Sequence, residues 1–126
     1  MTERGFMMMQ EDLRKKVDLA FLSAFYGGLL TEKQRRVISL HCEEDLSLGE
    51  IAADVGISRQ AVHETIARAA ARLYEMEASL GVAARFRRME SGLQAALAAL
   101  KQQDYAGAEQ LLSSMLALDQ EDNNGL

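Results

Sequence analysis

The densest run of side chains able to make directional contacts is Ser58-Arg59-Gln60, with His63 and Glu64 one turn further on. A guanidinium can bond guanine through two parallel hydrogen bonds, and a carboxamide can do the same with adenine. A serine at the start of a helix accepts a backbone N–H and leaves neighbouring N–H groups facing outward, where a phosphate fits. Arg68 and the trio Arg85, Arg87 and Arg88 could add phosphate contacts, or simply form solvated faces. Nothing comparable supports catalysis. The two histidines, His41 and His63, fall on different predicted helices without a motif around either. There is no phosphate-binding glycine loop, no dinucleotide fingerprint and no His-Glu-x-x-His. Glu43-Glu44 follows a helix and reads as its solvated end, and Cys42, the sole cysteine, reads as a small buried apolar residue. The sequence therefore predicts a binding protein, not an enzyme, with no cofactor and no metal.

The residues around that run have the logic of two helices meeting at a sharp turn. Ser47 and Glu50 form a capping box that opens one helix, and Gly56 stops it where the chain needs positive φ. Ser58 caps the next, which can run unbroken to Leu80, with Gly81 behind it. Ala52 is small where the helices must cross, and Ile51, Val55, Ile57, Val62 and Ile66 form the apolar wedge between them. In such a helix-turn-helix the first turn of the second helix enters the major groove. That places Ser58, Arg59, Gln60 and His63 as base or phosphate contacts, with Arg68 further along.

The rest of the chain reads as helix too. Its 126 residues contain no proline, and 48% hydrophobic with 26% charged residues is ordinary globular composition, so the expected class is all-α. A first helix is predicted over residues 10–26, with Leu13, Val17, Phe21, Ala24 and Phe25 on its inward face and Leu19, Leu22 and Tyr26 widening it. Thr31 with Gln34 opens the second helix, whose apolar side is Val37, Ile38, Leu40 and Cys42. Beyond Gly81, the residues Val82, Phe86, Met89, Leu93, Ala96 and Leu100 recur in steps of four and three. This seam predicts a homodimer; the stripe Leu111, Leu112, Met115 and Leu118 of a last helix capped by Asp104 could instead cover it within one chain. Residues 120–126 are expected to fray. The implied organisation is a helical domain over residues 1–81, with the helix-turn-helix at 47–73, and a dimerisation or partner arm over 82–126.

Charge complicates a nucleic-acid reading. The net charge is −5: residues 31–80 carry −3, residues 81–103 carry +3, and residues 104–126 carry −5. The strongly basic balance typical of nucleic-acid binders is absent. The longest uncharged stretch, residues 19–31, is too short to span a bilayer, and Met7-Met8-Met9 is too brief for a signal peptide. The expected location is the cytoplasm, without membrane insertion.

The stretch from Ser47 to Leu73 resembles region four of bacterial sigma factors, with the tail Ile66-Ala67-Arg68-Ala69-Ala70-Ala71-Arg72-Leu73. Adding Tyr26-Gly27-Gly28-Leu29-Leu30-Thr31-Glu32-Lys33-Gln34-Arg35, Glu44-Asp45-Leu46-Ser47-Leu48-Gly49-Glu50-Ile51-Ala52 and Ile57-Ser58-Arg59-Gln60-Ala61-Val62 narrows the likeness. Together these segments resemble the YlxM family of small bacterial helix-turn-helix proteins. The resemblance covers about residues 13–81 and implies a cytoplasmic, dimeric DNA-binding regulator connected with the signal recognition particle pathway. In place of the family's tyrosine, acidic residue and Ile-Lys-Arg, this chain has His63-Glu64-Thr65-Ile66-Ala67-Arg68, losing a basic residue at Ala67. The alternative is a protein–protein adaptor of the same pathway that keeps the fold without reading DNA. Binding of the particle's RNA is a third reading, although no aromatic-rich surface supports it.

Overall fold

The computed structural model describes residues 2–124. Among these the chain is helical between short turns: α1 (Glu3–Tyr26), a 3-10 turn (Gly27–Leu29), α2 (Glu32–Cys42), α3 (Leu48–Val55), α4 (Arg59–Leu80), α5 (Val82–Lys101) and α6 (Tyr105–Asn124). The all-α class is therefore correct. Two compact units divide between Ala83 and Ala84.

The expected caps are the ones that form. Thr31 and Ser47 accept the N–H groups of Gln34 and Glu50, while the side chains of Gln34 and Glu50 reach back to the backbone N–H of Thr31 and Ser47, each bond at 3.1 Å. Gly56 and Gly81 end their helices at φ +80° and +62°, a conformation that disfavours any residue with a Cβ. Asp104 accepts the N–H of Gly107 at 2.9 Å, opening α6. That helix continues to Asn124, so the fraying expected from residue 120 does not appear as far as the description extends.

Two apolar clusters hold the first unit together. One joins Leu19, Leu22 and Tyr26 of α1 to Leu30, Ile38 of α2 and Ala69 and Leu73 of α4. The other joins Val37, Ile51 and Val62, locking α2, α3 and α4, and Ile66 packs against both.

One face was misassigned from periodicity. Leu13 and Val17, expected inward, are 62% and 57% exposed, while Leu19, Leu22 and Tyr26 are buried. The reason is length. Helix α1 starts at Glu3, capped by Thr2, rather than at residue 10, and its early turns extend past the elements available to cover them. Two apolar stripes then compete, and α2 and α4 cover only the one at the C-terminal end of α1.

Tyr26 ties that end to the close of the domain. Its hydroxyl donates to Glu77 at 2.6 Å and accepts the Val82 N–H at 3.0 Å, and Glu77 also accepts the Ala83 N–H. Tyr26→Phe removes the acceptor of the part-buried Val82 N–H and the donor to Glu77, so urea denaturation should show a loss of about 1–3 kcal/mol.

The second unit is an antiparallel pair, α5 and α6. Met115 packs against Gly92, and Arg85 forms an ion pair with Asp119. Within α5, Ala96 is buried, whereas Val82, Phe86, Met89, Leu93 and Leu100 are each 42–51% exposed. Met115 thus covers α5 at Gly92, while the large residues of the seam stay half open.

Candidate nucleic-acid interface

The site begins with the turn. Ile51 is fully buried and pins α3 against Val37 and Val62. The N–H groups of Gly56 and Ile57 both return to the Ala52 carbonyl, at 2.9 and 3.1 Å, closing α3 with a tight turn. Ser58 then accepts the Ala61 N–H at 3.0 Å through Oγ, and its carbonyl accepts the Val62 N–H at 3.0 Å. The N–H groups of Arg59 and Gln60, ahead of these in the first turn, remain for water or a ligand.

Helical spacing sets the faces of α4. With Val62, Ala69 and Leu73 buried, Gln60, Glu64, Ala67 and Ala71 lie along the opposite, solvent-facing centre. Arg59 and His63 share one flank of that face, and Arg68 and Arg72 share the other. Ser58, Arg59, Gln60, His63 and Arg68 are all exposed, so the structure brings these candidates onto one accessible helix.

Two of them are already engaged. The amide of Gln60 donates to Glu64 Oε1 at 3.4 Å, a long contact that a better acceptor displaces easily. The Arg59 guanidinium lies over the first turn of α3. A Cβ on Gly49 would stand 2.9–3.1 Å from its Nη2, Nε and Cζ atoms. The glycine gives the guanidinium room to lie flat, which holds the charge beside the α3 N-terminus. Because the clashing group is the mobile end of a long side chain, Gly49→Ala should not unfold the domain. Thermal unfolding should show unchanged stability or a gain of up to about 1 kcal/mol from helix propensity, while the Arg59 Nε–H signal moves in NMR spectra.

Acidic neighbours trim the field of this surface. Asp54 pairs with Arg36 at 2.9 Å. The Glu50 carboxyl sits below its ordinary pKa because it accepts hydrogen bonds from Ser47, so it stays charged beside the turn.

Sequence reasoning missed two cations. Lys15 and Lys16 of α1 share a cleft with His63 of α4, although they lie far from it in the chain. No local signal marks them, since only the packing of α1 on α4 brings them there. Arg85, Arg87 and Arg88 belong to α5 of the second unit, where Arg85 pairs with Asp119. Cys42 is half-buried and burial raises its thiol pKa, which suits a packing residue. No helix among the described residues is long and apolar enough to cross a membrane.

A family model described as "Putative helix-turn-helix protein, YlxM / p13 like", and named UPF0122, matches residues 13–113. The chain belongs to the UPF0122 family. A UPF0122 protein of Halalkalibacterium halodurans is 41% identical over 107 residues, which is 85% of this chain and 96% of the relative. One from Symbiobacterium thermophilum is 43% identical over 99 residues, covering 79% and 92%. One from Desulforamulus reducens reaches 49% over 65 residues, covering 52% and 56%. The UPF0122 match extends through α5 into α6, well past the segment on which the sequence resemblance rested.

Proposed function

We propose that this UPF0122 protein binds DNA through the α3–turn–α4 pair as a dimeric cytoplasmic regulator connected with the signal recognition particle pathway. The observation that carries the DNA reading is the exposed first turn of α4. Ser58, Arg59 and Gln60 are exposed beside a turn anchored by fully buried Ile51 and Val62, as a groove-entering helix requires. Gln60 faces the bases, and Arg59 and Arg68 reach the strands on either flank. The pathway connection rests on the YlxM resemblance.

The dimer reading rests on α5. Half-exposed Phe86, Met89 and Leu93 on a two-helix unit form an apolar surface that a second copy would cover as a helical bundle. Light scattering at micromolar concentration should give twice the 13.9 kDa chain mass. Replacing Phe86 and Leu93 with Glu should return it to the monomer mass and leave the far-ultraviolet helical signal intact.

The adaptor reading draws on a specific observation as well: a net charge of −5, with Glu50, Asp54 and Glu64 close to the α4 tip, weakens attraction to phosphates. A gel shift against the protein's own upstream DNA, run beside a pull-down of the particle's components, decides between them. A shift at low ionic strength supports the regulator. Capture of a particle component without a shift supports the adaptor. Arg85, Arg87 and Arg88 serve the regulator as phosphate contacts if their replacement by Ser flattens the salt dependence of the shift.

A further inference from the structure

The two helices of the second unit share one apolar face. Helical spacing puts Phe86, Leu93 and Leu97 on one flank of the line along which α5 meets α6. It puts Tyr105, Leu112 and Leu116 on the flank of α6 that looks the same way. A groove of about 370 Å³ opens between the helices on this side, lined by Leu93, Leu112 and Leu116 among others. All six side chains are 40–67% exposed, and Leu97 and Leu116 lie outside both stripes that sequence spacing marked. With the rest of the α5 seam they present on the order of 800 Å², the area that one partner gives to a stable interface.

Opposite charges border this face. Lys101 stands on the outer edge of α5 and Glu109 on the outer edge of α6, both exposed. The two edges lie on opposite sides of the hairpin, and neither side chain makes an ion pair among the described residues. The pairings of Gly92 with Met115 and of Arg85 with Asp119 fix the register of the hairpin. Leu97 is therefore about level with Glu109, and Lys101 stands one turn beyond.

We propose that this face is closed by the same face of a second copy, with α5 of each chain lying against α6 of the other in a four-helix bundle. This arrangement rests on the dimer reading above and makes α6 half of the interface rather than a neighbour of the α5 seam. Two-fold symmetry allows the faces to stack in two ways. An axis across the helices sets α5 on the partner's α5. It carries Lys101 towards the basic start of that helix, at Arg85, Arg87 and Arg88, and carries Glu109 towards the acidic end of the partner's α6, at Asp119 and Glu121. Like charges then approach at both places. An axis along the helices keeps every residue at its own height, so it sets Lys101 within one turn of the partner's Glu109, twice in each dimer. It also makes every neighbouring pair of helices antiparallel, which suits their dipoles. Charge therefore selects the second arrangement.

Light scattering and sedimentation equilibrium of the full chain and its variants test the arrangement. The parent should have twice the chain mass at micromolar concentration. Leu116→Glu, at a position 67% exposed on α6, should have the single mass with an unchanged far-ultraviolet helical signal. Lys101→Glu and Glu109→Lys should each weaken dimerisation about tenfold, and the two together should restore it to within about threefold of the parent. If replacing Phe86 and Leu93 with Glu gives monomers while Leu116→Glu stays dimeric, the dimer stands and this arrangement of it falls. The same holds if the double charge swap dimerises no better than the single ones. A parent that is monomeric overturns the dimer and its arrangement together, and leaves the face to a different partner.

Discussion

Replacing Ile51 with alanine should lower the unfolding free energy by about 2–5 kcal/mol, a large part of the roughly 5–15 kcal/mol that holds a domain of this size together. Ile51 is 0% exposed and packs with Val37 and Val62, so its truncation opens a cavity where α2, α3 and α4 meet. Helix α3 has 8 residues, far fewer than an isolated helix needs in water, so it depends on this contact to exist. Hydrogen exchange should therefore accelerate first at α3 and the Gly56 turn, ahead of the cluster around Leu73. Leu13→Ala is the contrasting case: the residue carries as many carbons but is 62% exposed, and its change should stay within about 0.5 kcal/mol. Urea denaturation of the two variants checks both values. Equal losses would mean that the turn is not anchored through Ile51.

That contrast also marks what sequence can and cannot disclose here. The caps at Thr31, Ser47 and Ser58, the glycine stops at Gly56 and Gly81, and the Asp104 start of α6 are local events decided within a few residues. Each is legible because its physics stays within one turn of helix. The inward face of α1 is different. Leu13-Val17 and Leu19-Leu22-Tyr26 both satisfy a helical period, and the choice between them depends on where α2 and α4 sit. The site divides in the same way. Ser58, Arg59 and Gln60 could be located because the turn signature fixes them, whereas the Arg59 guanidinium resting over Gly49 is a contact between two helices that no spacing rule contains. Lys15 and His63 likewise meet only in the folded chain. The α5 seam was visible as a pattern, but its interruption at Ala96 shows only once α6 is in place.

Arg59→Ala together with Gln60→Ala should abolish most of the sequence discrimination in DNA binding and weaken non-specific binding by about one phosphate contact. A bidentate contact between a side chain and a base supplies about 1–3 kcal/mol of discrimination, or roughly five- to a hundred-and-fifty-fold. The two residues do not contribute in the same way. Gln60 lies at the centre of the exposed face and needs only to give up its 3.4 Å contact with Glu64. Arg59 must leave the surface of α3, where Gly49 lets its guanidinium lie, before it can reach a base. From that resting place its nearer target is a phosphate beside the groove. The single variants separate these roles. Gln60→Ala should flatten the preference among sequences at unchanged salt slope. Arg59→Ala should weaken all sequences alike and reduce the slope by about one phosphate contact. The acidic surroundings make overall affinity low, so both belong in competition gel shifts at low ionic strength. If Arg59→Ala instead relaxes discrimination as Gln60→Ala does, the guanidinium leaves Gly49 on binding and reads the groove itself. If the double variant binds its best site as well as the parent, α4 does not read bases, and the adaptor reading takes its place.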